Sequence, residues 1–242
     1  MANKKQSRGV TTRAALLAAG IEVFSRDGFE GASTRAIAQA AGVQQALISF
    51  HFRGKEGLYL AVFDELATQL EQRLGPFAEG IEAELAHPPA PARSKKHAQA
   101  RSLELLLGMV DNVVAVLARE ESSQWALLIS REQQTPTRAF EILYDGFFKR
   151  MTGLIVRLVA SVRGDATEAD ARLSAVSIMG QMLVFRHSRA LVLRRLGWTT
   201  IGSKELTILQ ASLREAITAQ LSVSAPCQQK QSKHGNKGRH EV

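Results

Sequence analysis

Apolar residues recur along this chain at the spacing of a helix face and almost nowhere at that of a strand. Leu17, Ile21 and Phe24 fall three to four apart, and Leu58, Val62, Leu66 and Leu70 fall four apart with Phe63 beside them. No segment alternates apolar and polar residues between turn signals, so the pattern predicts an all-α fold. Hydrophobic residues are 45% of the 242 positions and charged residues 22%, enough for a core and a soluble exterior. That length suits one large domain, or a small domain joined to a larger one.

The punctuation divides the chain further. Thr11 or Thr12 can cap a first helix that stops at Asp27-Gly28. "STRAIAQAAG" predicts a short second helix capped by Ser33 or Thr34, with Ile37 and Ala40/Ala41 turned inward and Gly42 as its stop. A third short helix is expected at about 44–50, with Val43 and Ile48 facing the first two. Two short helices joined by a glycine turn make a helix-turn-helix, whose second member can enter a DNA major groove. A longer helix follows at about 55–74, and the prolines of "HPPAPARSKKH", 87–97, read as a loop. Further helices are expected at about 98–118, 136–162, 167–194 and 203–221. Beyond Val223 the apolar periodicity stops and Gln, Lys, Ser and Gly take over, which predicts a disordered tail. The expected organisation is therefore a helix-turn-helix domain over 1–56, a larger helical domain over 57–221, and a basic tail over 222–242.

Charge follows the same division. Residues 1–56 hold 8 Lys/Arg against 4 Asp/Glu, 57–221 hold 19 against 18, and 222–242 hold 4 against 1, for a net charge of +8. A basic end points to a polyanion partner or to a plain solubilising terminus. The single cysteine, Cys227, cannot pair within the chain and no metal-ligand spacing occurs, so neither metal nor cofactor is expected and a reducing cytoplasm is the expected location. No apolar run is long enough for a membrane span.

The third helix carries the chemistry. Gln45 and Ser49 share a face with Ala46 and Phe50, away from Ile48. Glutamine can make paired hydrogen bonds to adenine and a small side chain can meet a thymine methyl; Gln44 and Gln45 sit where the base-reading end of such a helix lies. Ser33 and Thr34 open the second helix, where amides favour a phosphate, and Lys55 adds a cation at the start of the fourth. Residue by residue, an ordinary solvated face with a packed His51 explains these positions as well. It is the conjunction of three short helices, a glycine turn and a local basic excess that favours DNA.

"STRAIAQAAGVQQALISFHFRGKEGLY" also resembles the signature of TetR-type bacterial transcriptional regulators, over residues 11 to about 60. That resemblance implies DNA contacts at Thr34, Gln44, Gln45, Ala46, Ser49, Phe50, His51 and Lys55. Ser49 stands where most members carry a tyrosine, so it brings a small hydroxyl in place of a ring. "ISREQQTPTRAFEIL" and "GQMLVFRHSRALVLRRLGW" are similar to the C-terminal domain of the CecR-like subgroup, some of whose members control efflux or membrane-permeability genes. The resemblance implies a homodimer through the helices near 167–194 and 203–221, a small-molecule effector, and a double-stranded palindromic operator.

Within the larger domain Trp125, Arg131, Phe147 and Arg186 are candidates to line an effector pocket. Structural roles compete, with Arg131 tying helices through carboxylates. Arg131 and its neighbour Glu132 must point different ways on a helix. Met179, Met182 and Phe185 suit either a dimer contact or the monomer core. An enzyme is disfavoured because no Gly-rich phosphate loop, GxSxG elbow or HExxH appears. A regulator answering to a protein partner without an effector remains the alternative.

Overall fold

The computed structural model describes residues 2–87, 94–164 and 166–222, with side chains from residue 9. The helices are α1 (Ala2–Gly31), α2 (Thr34–Ala40), α3 (Ala46–Phe52), α4 (Lys55–Ala86), α5 (Lys95–Ala118), α6 (Ser122–Gln134), α7 (Arg138–Leu143), α8 (Lys149–Arg163), α9 (Glu168–His187), α10 (Arg189–Leu196) and α11 (Ser203–Ser222), with a π-helical turn, Tyr144–Phe148, between α7 and α8. No strand occurs among the described residues, and none of their helices is long and apolar enough to cross a membrane. The expected tail from 223 onward, with Cys227, lies outside the described residues, as do 88–93 of the proline-rich stretch.

α1 to α3 and the first turns of α4 close around Leu16, Phe24, Ile37, Ile48, Phe52 and Leu58, all buried. α1 does not begin at Thr11 or Thr12, because no glycine conformation or proline interrupts the backbone there; it starts at Ala2 and kinks at Gly28 (φ 74°) before a last turn to Gly31. Ser33 caps α2 by accepting from the Ala36 amide at 3.1 Å. Ala38, not Ala40, is the inward alanine beside Ile37: Ala40 is exposed and Ala41 half-buried. Gly42 (φ 66°) makes the turn, and α3 starts two residues later than expected, so Gln44 lies before it and Gln45 is its N-cap. The backbones of α3 and α4 then approach so closely that a Cβ on Gly57 would stand 1.8 Å from the Phe52 carbonyl oxygen. Only glycine fits there.

α4 runs 32 residues, about 48 Å, and passes through Pro76 instead of ending at Leu74. A proline inside a helix costs one hydrogen bond and a clash. Two contacts offset that cost. Ala78 and Ile81, beyond the proline, are fully buried, and Arg150 of α8 clasps Glu71 and Glu82 on either side of it, the latter with two bonds at 3.0 and 2.7 Å. α5 forms the axis of the larger bundle, packed against α4, α8, α9 and α11, with Leu106, Met109, Val110 and Val114 in the core. Two elements depart from the sequence reading here. α6 is a separate helix that the pattern had not predicted, and the expected 167–194 helix breaks at Ser188 into α9 and α10. α9 opens with a reciprocal cap between Thr167 and Asp170, and α10 ends at Gly197 (φ 70°) after Arg194 and Arg195, cations suited to a helix C-terminus.

Candidate DNA-reading surface and effector cavity

The outer face of α3 carries Ala46, Ser49 and Phe50, with Gln44 and Gln45 at its N-terminal end, all exposed; Phe50 keeps 78% of its surface in solvent although it is a large apolar ring. Val43 is half-buried and Ile48 and Phe52 are buried on the opposite side, so α3 is anchored by one face and presents the other. His51 is half-buried, its ring edge-on to Phe50 with centroids 5.0 Å apart. An exposed phenyl beside two glutamines and two small side chains is a surface suited to base edges and thymine methyls.

Three of the polar residues on this surface also hold the motif together. The Gln45 amide donates to Thr34 Oγ1 at 2.8 Å, linking α3 to the first turn of α2. Ser33 Oγ is engaged as the α2 cap. Lys55 Nζ donates to the Glu30 and Ala32 carbonyls at 3.4 and 3.1 Å and lies 4.5 Å from the centre of the Phe29 ring. The ammonium thus satisfies carbonyls at the end of α1 and gains a cation–π contact. Sequence reasoning named neither Arg35 nor Arg53, both exposed beside this face; the basic excess of residues 1–56 was the signal that could have found them.

In the larger bundle α4 to α9, with the π turn, line a partly open cavity of about 360 Å³. That is the size of a small-molecule site. Trp125 and Phe147 supply aromatic wall, Met109, Met151, Met179 and Met182 supply deformable wall, and Arg186 and His187 stand among its few polar groups. Met179 and Met182 of α9 line the cavity, which favours the monomer-interior reading of these two residues. Tyr144, Phe147 and Phe148 all reach the cavity from the π turn, a helical irregularity that often marks a functional position. Arg73 stacks its guanidinium 4.5 Å from the Trp125 ring centre.

Arg131 is not in the cavity wall. Its guanidinium donates to the carbonyls of Phe24 at 2.9 Å and Arg26 at 3.2 Å, so it ties α6 to the end of α1 through backbone oxygens and not through the expected carboxylates. Those carbonyls lie just before the Gly28 kink, where the interrupted ladder leaves acceptors to be met. Glu132 points elsewhere, as adjacency on a helix requires. Buried at 4% exposure, it accepts from Tyr59 Oη of α4 at 2.8 Å and from the amide and hydroxyl of Thr137 at 3.0 and 2.8 Å. Burial, followed by that carboxylate, holds the Tyr59 phenol well above its ordinary range. The Arg186 side chain is largely withdrawn from solvent, and its desolvation, with Arg189 nearby, lowers the guanidinium's proton affinity while Glu120 opposes the shift.

A helix-turn-helix head on an all-α body with an internal cavity defines a class of DNA-binding regulators, and comparison with known proteins agrees. Residues 16–62 match the profile of bacterial regulatory proteins of the tetR family, and residues 103–222 match that of the C-terminal domain of the HTH-type transcriptional dual regulator CecR. CecR of Shigella flexneri is 30% identical over 207 residues, covering 85% of this chain and 89% of that protein. Among solved structures, AibR in complex with isovaleryl coenzyme A and operator DNA superposes with a TM-score of 0.60 at 15% identity, over 85% of this chain and 97% of that one. FadR of Bacillus subtilis in complex with stearoyl-CoA gives 0.55 at 18% identity, over 84% and 96%. The chain belongs to the TetR family of bacterial transcriptional regulators, in its CecR-like subgroup.

Proposed function

We propose that this regulator is a homodimeric, effector-responsive repressor that binds a palindromic operator through α3. The carrying observation is α6. One face of it, Trp125, Ile129 and Gln133, lines the cavity, while Arg131 and Glu132 hold α1 and α4 of the DNA-reading head. A molecule that fills the cavity presses on the helix that positions both, so an effector preferring the displaced arrangement draws the population away from the DNA-bound one. AibR and FadR, which share the fold, are described with acyl-coenzyme A ligands, and AibR with its operator.

The dimer is supported by apolar residues left in solvent. Leu173, Val176 and Val184 of α9 are 71%, 64% and 41% exposed along one stripe, with Gly180 open between them, and Ile208 of α11 is 48% exposed. Such a stripe on two neighbouring helices suits a self-complementary interface. We divide the chain at residues 56 and 57 into a reading head and an effector and dimerisation body, with Ser33, Thr34 and Lys55 as phosphate-side groups, and His51 at the margin. We assign its targets to genes of export or membrane permeability. Selection of bound DNA from a random pool by purified protein, followed by sequencing, tests the reading: two inverted half-sites are expected. A single unrepeated half-site bound by monomer would overturn it.

A further inference from the structure

At the α9 end of the cavity two arginines converge on one carboxylate. The Arg186 side chain is 8% exposed and that of Arg189 15%, while their shared partner Glu120 is 79% exposed, at 3.9 and 3.6 Å. Two cations against one anion leave one positive charge unbalanced at the rim of an otherwise apolar cavity. Arg186 donates to the Arg119 carbonyl at 3.3 Å and Arg189 to that of Ala118 at 3.3 Å. Capping the end of α5 accounts for one donor on each fork, and Ser122 already serves the same turn through Leu117 and Arg119. A guanidinium carries five donors, and a charge removed from water is tolerated when an anion and full hydrogen bonding compensate it. Glu120 gives only a long, solvent-screened contact. Yet Arg186 itself lines the cavity, next to Met182 and Leu183.

We propose that the effector of this cavity is an organic acid: an apolar body among Trp125, Phe147 and the methionines, with a carboxylate paired to the Arg186 guanidinium. This rests on the effector-responsive reading and names its ligand class. One unbalanced positive charge matches a monoanion, and the planar guanidinium fork matches a carboxylate in two parallel bonds. The apolar wall supplies affinity, and the arginine discriminates between an acid and its neutral analogue, because only the acid fills the donors without exposing them to hydrocarbon.

The test uses the full chain carrying Trp198→Phe, so that the fluorescence is that of Trp125 in the cavity wall, with decanoate, 1-decanol and decylamine, and 1-naphthylacetate with its amide. Each acid is expected to bind about tenfold or more tightly than its neutral analogue, the difference a charge-assisted bond supplies, and the amine weakest. Arg186→Gln should abolish the preference, bringing each acid down to the affinity of its neutral analogue in the same variant; an acid preference that survives in the folded variant would overturn the pairing. Glu120→Gln, at an exposed position that should leave folding intact, should keep the acid preference, because the contact it removes is long and screened; loss of the preference in that variant would overturn the pairing. Neutral analogues that bind as tightly as the acids and still release operator DNA would overturn the acid and leave the effector reading standing. No binding and no release by any of the five would overturn both.

Discussion

Tyr59 Oη donates a 2.8 Å hydrogen bond to Glu132 Oε1 inside the core, joining the helix that leaves the DNA-reading head to the helix that walls the cavity. The Glu132 carboxyl takes its other bonds from Thr137, so its two oxygens are met by three neutral donors. Removing one donor leaves a buried acceptor short of a partner. Tyr59→Phe should therefore cost about 1 to 3 kcal/mol in urea melts. An unchanged midpoint would mean that the bond contributes nothing net.

The same pair predicts an alkaline limit. The folded phenol is raised above its ordinary value of 10.0, so the folded state keeps a proton that the unfolded chain releases. Its contribution is fully present below the unfolded value and is lost as pH rises toward the folded one. Stability should fall between about pH 10 and 12, and Tyr59→Phe should flatten that slope in melts across the range.

Arg131 and Gly28 meet at the junction of head and body: a Cβ on Gly28 would lie 2.9 Å from Arg131 Nη1, and the same nitrogen donates to Phe24. Arg131→Gln is expected to keep operator affinity within about threefold, while weakening its release by effector about tenfold as the two-carbonyl grip is lost, on the usual scale of coupling energies. A gel-shift titration with and without effector reads both. Equal release in variant and wild type would show that α6 acts through Glu132 alone.

On the reading face the polar residues divide by what they touch. Gln44→Ala should relax base preference at one operator position by about 1 to 3 kcal/mol. Gln45→Ala removes a base-facing amide and also its bond to Thr34, so it should relax preference at a neighbouring position and lower affinity for every sequence as well. Arg53→Ala is expected to lower the salt slope by about one. Lys55→Ala should lower stability by about 1 kcal/mol, because its ammonium serves α1 carbonyls and the Phe29 ring, with a smaller change in slope. Parallel titrations over salt and over operator variants separate the four.

The head was legible because its signals are local. Ser33 before a run of alanines, Gly42 and the spacing of Ile37 and Ile48 each report on a few neighbouring residues, and the structure moved α3 by two positions only. α6 was hidden because "SSQWALLISREQQ" places Arg131 and Glu132 against other helices, which blurs the apolar stripe the eye searches for. The end of α4 was misread because Gly75-Pro76 is a local stop signal, whereas Arg150, whose clasp bridges it, lies 68 positions beyond Glu82. The cavity is a shape made by six helices together, so no segment announces it. Trp125, Phe147 and Arg186 could be picked out as odd residues, but Arg131, equally odd, turned out to face the head.

The stripe on α9 gives the last prediction. Leu173 and Val176 are exposed while Ala171, Ser174, Ala175 and Ile178, on the other side of the same helix, are buried against the bundle. The monomer core therefore does not use the stripe, and a charge there should leave the fold intact. Leu173→Glu combined with Val176→Glu places like charges face to face across a two-fold interface and strands them from water. Sedimentation should show a shift from dimer to monomer, with a melting midpoint of the monomer set by the untouched core. Operator affinity should then drop by well over tenfold, since two half-sites no longer share one binding event and the effective concentration of the second head is lost. Unchanged sedimentation with the variant fully folded would place the dimer contact elsewhere, and α11 around Ile208 would be the next face to alter.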